Sequence, residues 1–420
     1  MQKLRLGIIG FGKRGQGILH CLLQNMDDII VTAVCDLYQD RVDWAIAKTE
    51  ELAGNVPFGT TDYHVLLARD DVDAVLTPSA WEAHIDVCVD AMKAGKPVGC
   101  EVGGAYSVDD CWRLVRTFEE TQTPCMLMEN CCYGQEEMAV LNMIKKGLFG
   151  EIVHLEGGYR HDLRCEVAEG HIARHYRLDN YKHRNGELYP THELGPIAKD
   201  ININRGNRML TLCSMASKSA GINEWIRTRH PGENFENENE PFCEGDVVTT
   251  LIKCANGETI TLQHDTSLPR PYSRANLVQG TKGMWSEDKH GVYFDGVAME
   301  YDFGETFTDI SKFYDKYQHP LWNGYEAVGG HGGMDYLVLR AFIEAVRDKK
   351  PMPIDVYDMA AWMVITPLSE ESIAMGSMPV SIPDFTNGKW THREPFYRSR
   401  YCLEDVCTEC FEEHEGGAEQ

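Results

Sequence analysis

The stretch LRLGIIGFGKRGQG, residues 4–17, constrains the fold more than any other. An apolar run enters Gly10, Gly12 and Gly15 in the spacing G-x-G-x-x-G, and an amphipathic run follows at once. Strand, tight turn and helix in that order bring backbone amides and a helix N-terminus up to a pyrophosphate, with glycine where a side chain would block the approach. The next apolar run ends in TAVCD and puts Asp36 twenty-one residues past Gly15. A carboxylate there accepts the ribose hydroxyls and repels a 2′-phosphate, so NAD is the expected cofactor rather than NADP. Gly7 to Lys13 also fits the start of a P-loop, but position 14 is Arg where magnesium binding needs Ser or Thr.

From residue 3 to about 129, short apolar runs alternate with amphipathic ones, among them IIVTAVCD, a helical stretch over about 39–53, VDAVLTPS, EAHIDVCVDAMKAG and SVDDCWRLVRTFEETQ. This order predicts an α/β architecture, a Rossmann doubly wound parallel sheet with helices on both faces. Ile18, Leu19, Leu22, Leu23 and Met26 form a stripe at helical spacing that packs on that sheet. A helix over about 135–146 stops at Lys-Lys-Gly. Strand-like runs follow: EIVHLEGGYRHD, VVTTLIKCANGETITLQHD, RANLVQGTKGMWSE and HGVYFDGVAMEYD. Their turns predict an α+β second domain with a largely antiparallel sheet, closed by helices from about 333 and over about 356–375. The polar, acidic segment 227–246 is expected to be a mobile loop. The expected division is an NAD-binding domain over 1–130, a substrate and oligomerisation domain over 131–380, and a C-terminal extension over 381–420.

A formal charge of −25 repels phosphate backbones and anionic lipid, so neither nucleic acid nor a membrane surface is an expected partner. No secretory signal is visible, and a cytoplasmic location is expected. Most of the fifteen cysteines sit in apolar segments such as DVCV and PCMLMENCCY, where a reduced thiol acts as a small buried hydrophobe. The tail YCLEDVCTECFEEHEGGAEQ offers Cys402, Cys407 and Cys410 but no convincing fourth ligand, so no metal is expected.

THELGP begins like a zincin helix, but Pro196 stands where the second histidine ligand belongs, and no G-x-S-x-G elbow occurs. Histidines and tyrosines crowd one region: Tyr159, His161, His171, His175, Tyr176, Tyr181, His183, Tyr189 and His192, with Arg177 among them. Singly, each is an ordinary surface or core residue. Together they describe a polar pocket lined by proton-transfer groups. Arg160, Arg164, Arg174, Lys182 and Arg184 accompany them, either for hydroxyl or anion recognition or as solvated surface. His331 lies among four glycines in VGGHGGMDY, equally consistent with a tight turn and with a loop reaching the site.

GIIGFGKRG, Asp36, TPSAWEAH, GKPVGCE and the antiparallel second half resemble the Gfo/Idh/MocA oxidoreductase family over nearly the whole chain. CMLMENCCYGQEEMAVLNMIKKGLFGEIVHLEGGYRHDLR, HYRLDNYKHRNGELYPTHELGP, NINRGNRM and GGHGGMDY resemble the NAD-dependent glycosidases of glycoside hydrolase family 109, typified by α-N-acetylgalactosaminidases. The resemblance implies that NAD⁺ oxidises the hydroxyl at sugar carbon 3, a base removes the acidified proton at carbon 2, the aglycone at carbon 1 is eliminated, water adds, and the hydride returns. It implies active-site positions at Tyr159, Arg177, Tyr189, His192 and Tyr272, with His192 serving the carbon 3 hydroxyl and Tyr159 or Tyr189 the carbon 2 proton. His161 and His331 join Arg177 and Tyr272 as expected glycoside contacts. Arg14, Trp81, His84, Glu101 and Asn130 join Gly10, Gly12, Gly15 and Asp36 around the cofactor. A homo-oligomer is implied as well.

The chain departs from these patterns twice. The wider oxidoreductase family usually carries Glu-Lys-Pro where this chain has Glu101, Val102 and Gly103, which argues against an ordinary sugar dehydrogenase. The glycosidase group usually has glycine after the histidine of YPTH, whereas Glu193 stands here, a carboxylate expected to raise the His192 pKa or reshape sugar contacts. A dehydrogenase that makes 3-keto sugars and releases NADH is the alternative reading, and a non-catalytic NAD or sugar sensor the third.

Overall fold

The computed structural model describes residues 3–296, 306–393 and 398–412. The first sheet contains β1 (Leu4–Ile9), β2 (Ile29–Cys35), β3 (Phe58–Thr60), β4 (Ala74–Thr77), β5 (Val98–Cys100) and β6 (Cys125–Leu127). All pairs are parallel, in the order β3-β2-β1-β4-β5-β6. Leu6, Ile8, Val31, Ala33, Val34 and Val75 are wholly buried, as strands covered on both faces require. The helix Lys13–Asn25 lays its expected stripe on this sheet, with Ile18, Leu19 and Leu22 buried.

The second sheet comprises β7 (Ile152–Arg160), β8 (Met209–Ala216), β9 (Val247–Cys254), β10 (Thr259–Asp265), β11 (Leu277–Gly280), β12 (Gly283–Ser286), β13 (Gly291–Phe294), β14 (Thr308–Asp309) and β15 (Val380–Ser381). Its order is β14-β13-β12-β11-β7-β10-β9-β8-β15, antiparallel except where β10 runs parallel to β7. The strand expected over HGVYFDGVAMEYD is described only as far as residue 296. Its continuation, residues 394–397 of the tail and residues 413–420 lie outside the described residues. Among the described residues no helix is long and apolar enough to cross a membrane.

Two expectations are corrected. The helix expected over 356–375 is two, Val356–Met363 and Ile365–Ala374, because Pro367 lacks the N–H and crowds the preceding turn. Of the closing helices, Ile365–Ala374 stays with the second sheet, on β8, and the other two reach the first domain. Val356–Met363 packs on β6 and on the helix Val108–Thr121, and Met334–Asp348 packs on Lys13–Asn25. The Leu127 N–H donates to the Ile354 carbonyl at 3.1 Å, so the returning chain covers the otherwise open edge of β6. The acidic segment after the helix Gly221–Arg229 holds no regular element until β9, but it is tethered. Asn223 Nδ2 donates to the carbonyls of Asn237, Glu238 and Glu240.

What positions the site is the helix Pro190–Asp200, which lies against β7 and has Pro at its first position, where the missing N–H costs nothing. Two glycines set the closeness. A Cβ on Gly157 would sit 2.2 Å from the Glu193 carbonyl oxygen, and one on Gly195 would sit 2.8 Å from Glu129 Cγ. Gly157→Ala therefore forces helix and strand apart, an overpacking cost of about 1–3 kcal/mol. Gly17, inside a helix with open space around it, is the opposite case, and Gly17→Ala should stabilise by roughly 0.5–1 kcal/mol. Denaturant titration of both variants checks the contrast in sign.

Candidate active site

The glycine turn keeps the backbone shape that a dinucleotide requires. Gly10 has φ +109°, and a Cβ on it would lie 2.7 Å from the Pro78 carbonyl; one on Gly15 would lie 2.0 Å from the Gly10 carbonyl. Gly12 differs, since only Arg41 Nη1, at 4.0 Å, lies near its missing Cβ, so this glycine opens into the cleft. Asp36 Oδ2 accepts the Phe11 N–H at 2.6 Å and Oδ1 the Tyr38 N–H at 3.0 Å. Each oxygen keeps a lone pair, and Asp36 lines the cleft. A cradle open at Gly12 with a fixed carboxylate beyond it fits NAD.

Arg14 ties this turn to the rest of the chain. Its guanidinium reaches Glu101 Oε1 at 2.8 Å and Asp335 Oδ2 at 2.6 Å. Asn130 Nδ2 donates to the other Asp335 oxygen at 2.7 Å, and His331 Nδ1 meets Asp335 at 2.9 Å. Arg14 and His331 hold the Asp335 carboxyl well below the usual carboxylate range despite its burial. His331 thus stands at the cofactor end, in left-handed backbone and half exposed, rather than among the tyrosines. His84 lines the same cleft; its Nε2 meets the Ser79 carbonyl at 3.0 Å and burial lowers its pKa, so the ring is neutral near pH 7. Trp81 is buried behind the cleft, with its indole where a Cβ on Gly103 would go.

At the far end of the cleft, the end of β7 and the start of the helix Pro190–Asp200, with Tyr189 just before it, present three rings to one another. Tyr159 and Tyr189 have centroids 4.5 Å apart, Tyr189 and His192 4.9 Å, and Tyr159 and His192 5.7 Å. Tyr189 stacks on Trp81 at 5.5 Å. Arg177 lies over the rings of Trp81, Tyr189 and Tyr159, its charge balanced by Glu166 at 2.7 Å. Tyr159 hydroxyl and His161 Nδ1 are 3.1 Å apart. Tyr272, exposed at its edge, packs across both at 6.4 and 5.1 Å. Tyr159, Tyr189, His192 and Arg177 line the cleft, while His161 and Tyr272 back Tyr159.

Burial raises the pKa of both tyrosines, and Arg177 opposes this most directly at Tyr159. His161 is lowered by burial and by Arg177, so it stands as a neutral ring able to accept a proton. The carboxylate beside His192 is Glu129, not Glu193. Glu129 is fully buried, its Oε1 2.7 Å from His192 Nδ1 and accepting the Cys131 N–H at 3.0 Å. Its pairing with His192 and those hydrogen bonds outweigh desolvation and hold Glu129 below the usual range, ionised. The ionised carboxylate accepts a hydrogen bond from Nδ1–H, which leaves Nε2 as the acceptor. Cys131 also lies within 4.8 Å of these ligating atoms, but burial pushes its thiol up and keeps it neutral, a poor metal ligand.

Glu193 sits one residue on, turned about 100° around the helix, and its carboxyl is buried against Glu187. Burial and mutual repulsion push both acids up, so at least one is neutral, and neither lines the cleft. The basic residues of the region mostly meet acids. Arg164 pairs with Asp162, Arg174 with Asp40, Arg184 with Glu370 and Lys182 with Glu240. Tyr181 is buried against Thr266, and His183 is exposed. The tail thiols Cys402 and Cys407 are buried, and no ligating trio forms there among the described residues. Reading the sequence missed Glu129, Glu166 and Asp335. Glu129 directly precedes Asn130 in MEN, but no spacing rule links it to a histidine sixty-three residues on.

Glu129→Gln should cost about 10²- to 10⁴-fold in kcat, because a neutral amide no longer fixes the imidazole tautomer. It should also change stability at low pH. A folded-state pKa below the ordinary 4.5 means that the contribution of Glu129 is full above that value and is lost as pH falls through the lower folded value. Denaturation midpoints of Glu129→Gln should accordingly fall less steeply with acid than those of the parent protein.

Residues 133–392 match the family profile described as glycosyl hydrolase 109, C-terminal domain, and residues 4–129 match the oxidoreductase family with an NAD-binding Rossmann fold. A glycosyl hydrolase family 109 protein of Stenotrophomonas maltophilia is 41% identical, covering 94% of this chain and 92% of that one. An alpha-N-acetylgalactosaminidase of Tannerella forsythia is 40% identical, over 94% and 88%. The fold is also that of levoglucosan dehydrogenase, solved with NADH and L-sorbose, at TM-score 0.67 and 17% identity over 91% of this chain and 100% of that one. An NAD-binding Rossmann half and a glycosidase half, joined in one cleft and matched at this identity over nearly the whole length, make the chain a member of glycosyl hydrolase family 109.

Proposed function

We propose that this enzyme hydrolyses glycosides by transient oxidation at sugar carbon 3, with α-N-acetylgalactosaminides as the first substrates to test and NAD as the cofactor. One observation carries the reading: the glycine turn and the Tyr159, Tyr189 and His192 cluster line a single cleft of about 1050 Å³. Gly10, Gly12 and Asp36 would hold NAD, which would supply reversible hydride acceptance from carbon 3. His192 Nε2, its tautomer fixed by Glu129, takes the proton of the carbon 3 hydroxyl. The resulting ketone acidifies carbon 2. Tyr159 takes that proton as its own phenolic proton passes to His161 at hydrogen-bond distance, with the Arg177 charge stabilising the phenolate character, and the aglycone leaves from carbon 1 as the double bond forms. Water then adds at carbon 1, Tyr159 returns a proton to carbon 2, and His192 returns one to the carbon 3 oxygen. Tyr189, stacked on Trp81 and edge-on to His192, walls the sugar site. Exposed Met215 and Leu251 on the outer face of the nine-stranded sheet fit self-association.

The test is incubation with nitrophenyl α- and β-glycosides in D₂O, following aglycone, net NADH and deuterium at carbon 2. Aglycone release with deuterium in the product and no accumulated NADH is expected. NADH accumulating without aglycone would make the enzyme a dehydrogenase. His192→Ala and Tyr159→Phe should each lower turnover by about 10²- to 10⁴-fold, and Tyr159→Phe should also abolish exchange at carbon 2.

A further inference from the structure

The cleft is bridged a second time, far from the sugar cluster. The short helix Gly170–Ala173 belongs to the second half of the chain and ends at Arg174, which takes a left-handed φ of 52°. That turn aims Arg174 across the cleft at the segment following β2, which carries Asp36. Arg174 Nη1 and Nη2 bind both oxygens of Asp40, at 3.1 and 2.7 Å. Arg41 answers from the opposite side, its Nη2 donating to the Ala173 carbonyl at 3.1 Å. Both guanidiniums lie over the ring of Tyr38, at 4.2 Å for Arg174 and 4.9 Å for Arg41. Arg41 Nη1 is 3.9 Å from Asp36 Oδ2, so the bridge stands directly over the carboxylate suited to the ribose. Asp36, Tyr38, Asp40, Arg41, Ala173 and Arg174 all line the cleft.

We propose that Asp40, Arg41, Ala173 and Arg174, with Tyr38 in contact with both guanidiniums, form a clasp that keeps the dinucleotide in place between half-reactions. The inference rests on the proposed oxidation and re-reduction cycle, which gives the clasp its purpose. Once the sugar is oxidised, the reduced cofactor must remain until water has added; its escape would strand a 3-keto product. No single contact in the clasp is strong. The Arg174 and Asp40 side chains are 39% and 65% exposed, and an ion pair in that setting contributes little alone. Arg41 is better shielded at 18%, and the two cations share one ring. Release requires these contacts to open together, so the clasp acts on the dissociation rate more than on association.

The test is stopped-flow displacement of NADH from the purified holoprotein by excess NAD⁺, with no glycoside present. Asp40→Ala and Arg174→Ala should each speed release by about 2- to 5-fold, and the double variant should be no faster than the faster single one, since both remove one interaction. Added salt should speed release in the parent protein but not in the double variant. Asp71→Ala, which breaks the surface pair with Arg69 elsewhere, should leave the rate unchanged. Single variants that release at the parent rate, or effects that multiply in the double variant, overturn the clasp. A failed clasp in an enzyme that still cleaves glycosides without losing NADH leaves the glycosidase reading standing. A working clasp in an enzyme that only oxidises sugars retires that reading and not the clasp.

Discussion

The buried bond between His192 and Glu129 is the constraint from which the rest of the site follows. Glu129 has no exposure at all, and an unpartnered carboxylate in that position would be prohibitively desolvated. It is tolerable because His192 and the Cys131 N–H stand against it, and they can do so only if the helix Pro190–Asp200 lies closer to β7 and to residue 129 than two ordinary side chains permit. Gly157 and Gly195 supply that approach. Local backbone permissiveness, a packing distance and the protonation state of a ring are therefore one problem with one solution.

A second charged network fixes the opposite wall. Arg14 leaves the glycine turn and spans Glu101 and Asp335, so the turn, the end of β5 and the helix Met334–Asp348 share one cation. Arg14 is only partly exposed and two carboxylates meet it, which explains why an otherwise costly burial persists. The network also locates Asn130 through Asp335, and Asn130 follows Glu129 in the chain. Both ends of the cleft are thus anchored on adjacent residues just past β6. A displacement there would reach the cofactor cradle and the histidine together.

The parallel sheet, the stripe on its first helix and the glycine turn were legible in the sequence because each rests on local spacing. The antiparallel second sheet was legible for the same reason, from alternation and turn residues. The packing of Val356–Met363 against β6 was not, since an apolar helix face does not announce which layer it covers. Tyr159, Tyr189, His192 and Arg177 do meet, as their crowding suggested, yet crowding could not order them. Glu193 drew attention by standing next to His192, but neighbours in a helix point apart. The acid that touches His192 comes from sixty-three residues earlier, and only the fold brings it there.

The same geometry bears on the base role proposed for Tyr159, a task at which a free phenol is poor. Burial alone makes Tyr159 a weaker acid, and Tyr189 shares that penalty. What distinguishes Tyr159 is its surroundings: the Arg177 cation over its ring and a neutral imidazole at 3.1 Å from its hydroxyl. A proton passed from Tyr159 to His161 would leave phenolate character where the Arg177 charge stabilises it. Glu166 holds Arg177 at 2.7 Å, and without that pairing the guanidinium would have little reason to stay among three aromatic rings. The electrostatic surroundings of Tyr159 thus depend on Glu166, which meets Arg177 and not the ring. The segment from Glu166 to Arg177 also carries Ala173 and Arg174, so the chain that places a cation over Tyr159 is the chain that bridges the opposite end of the cleft.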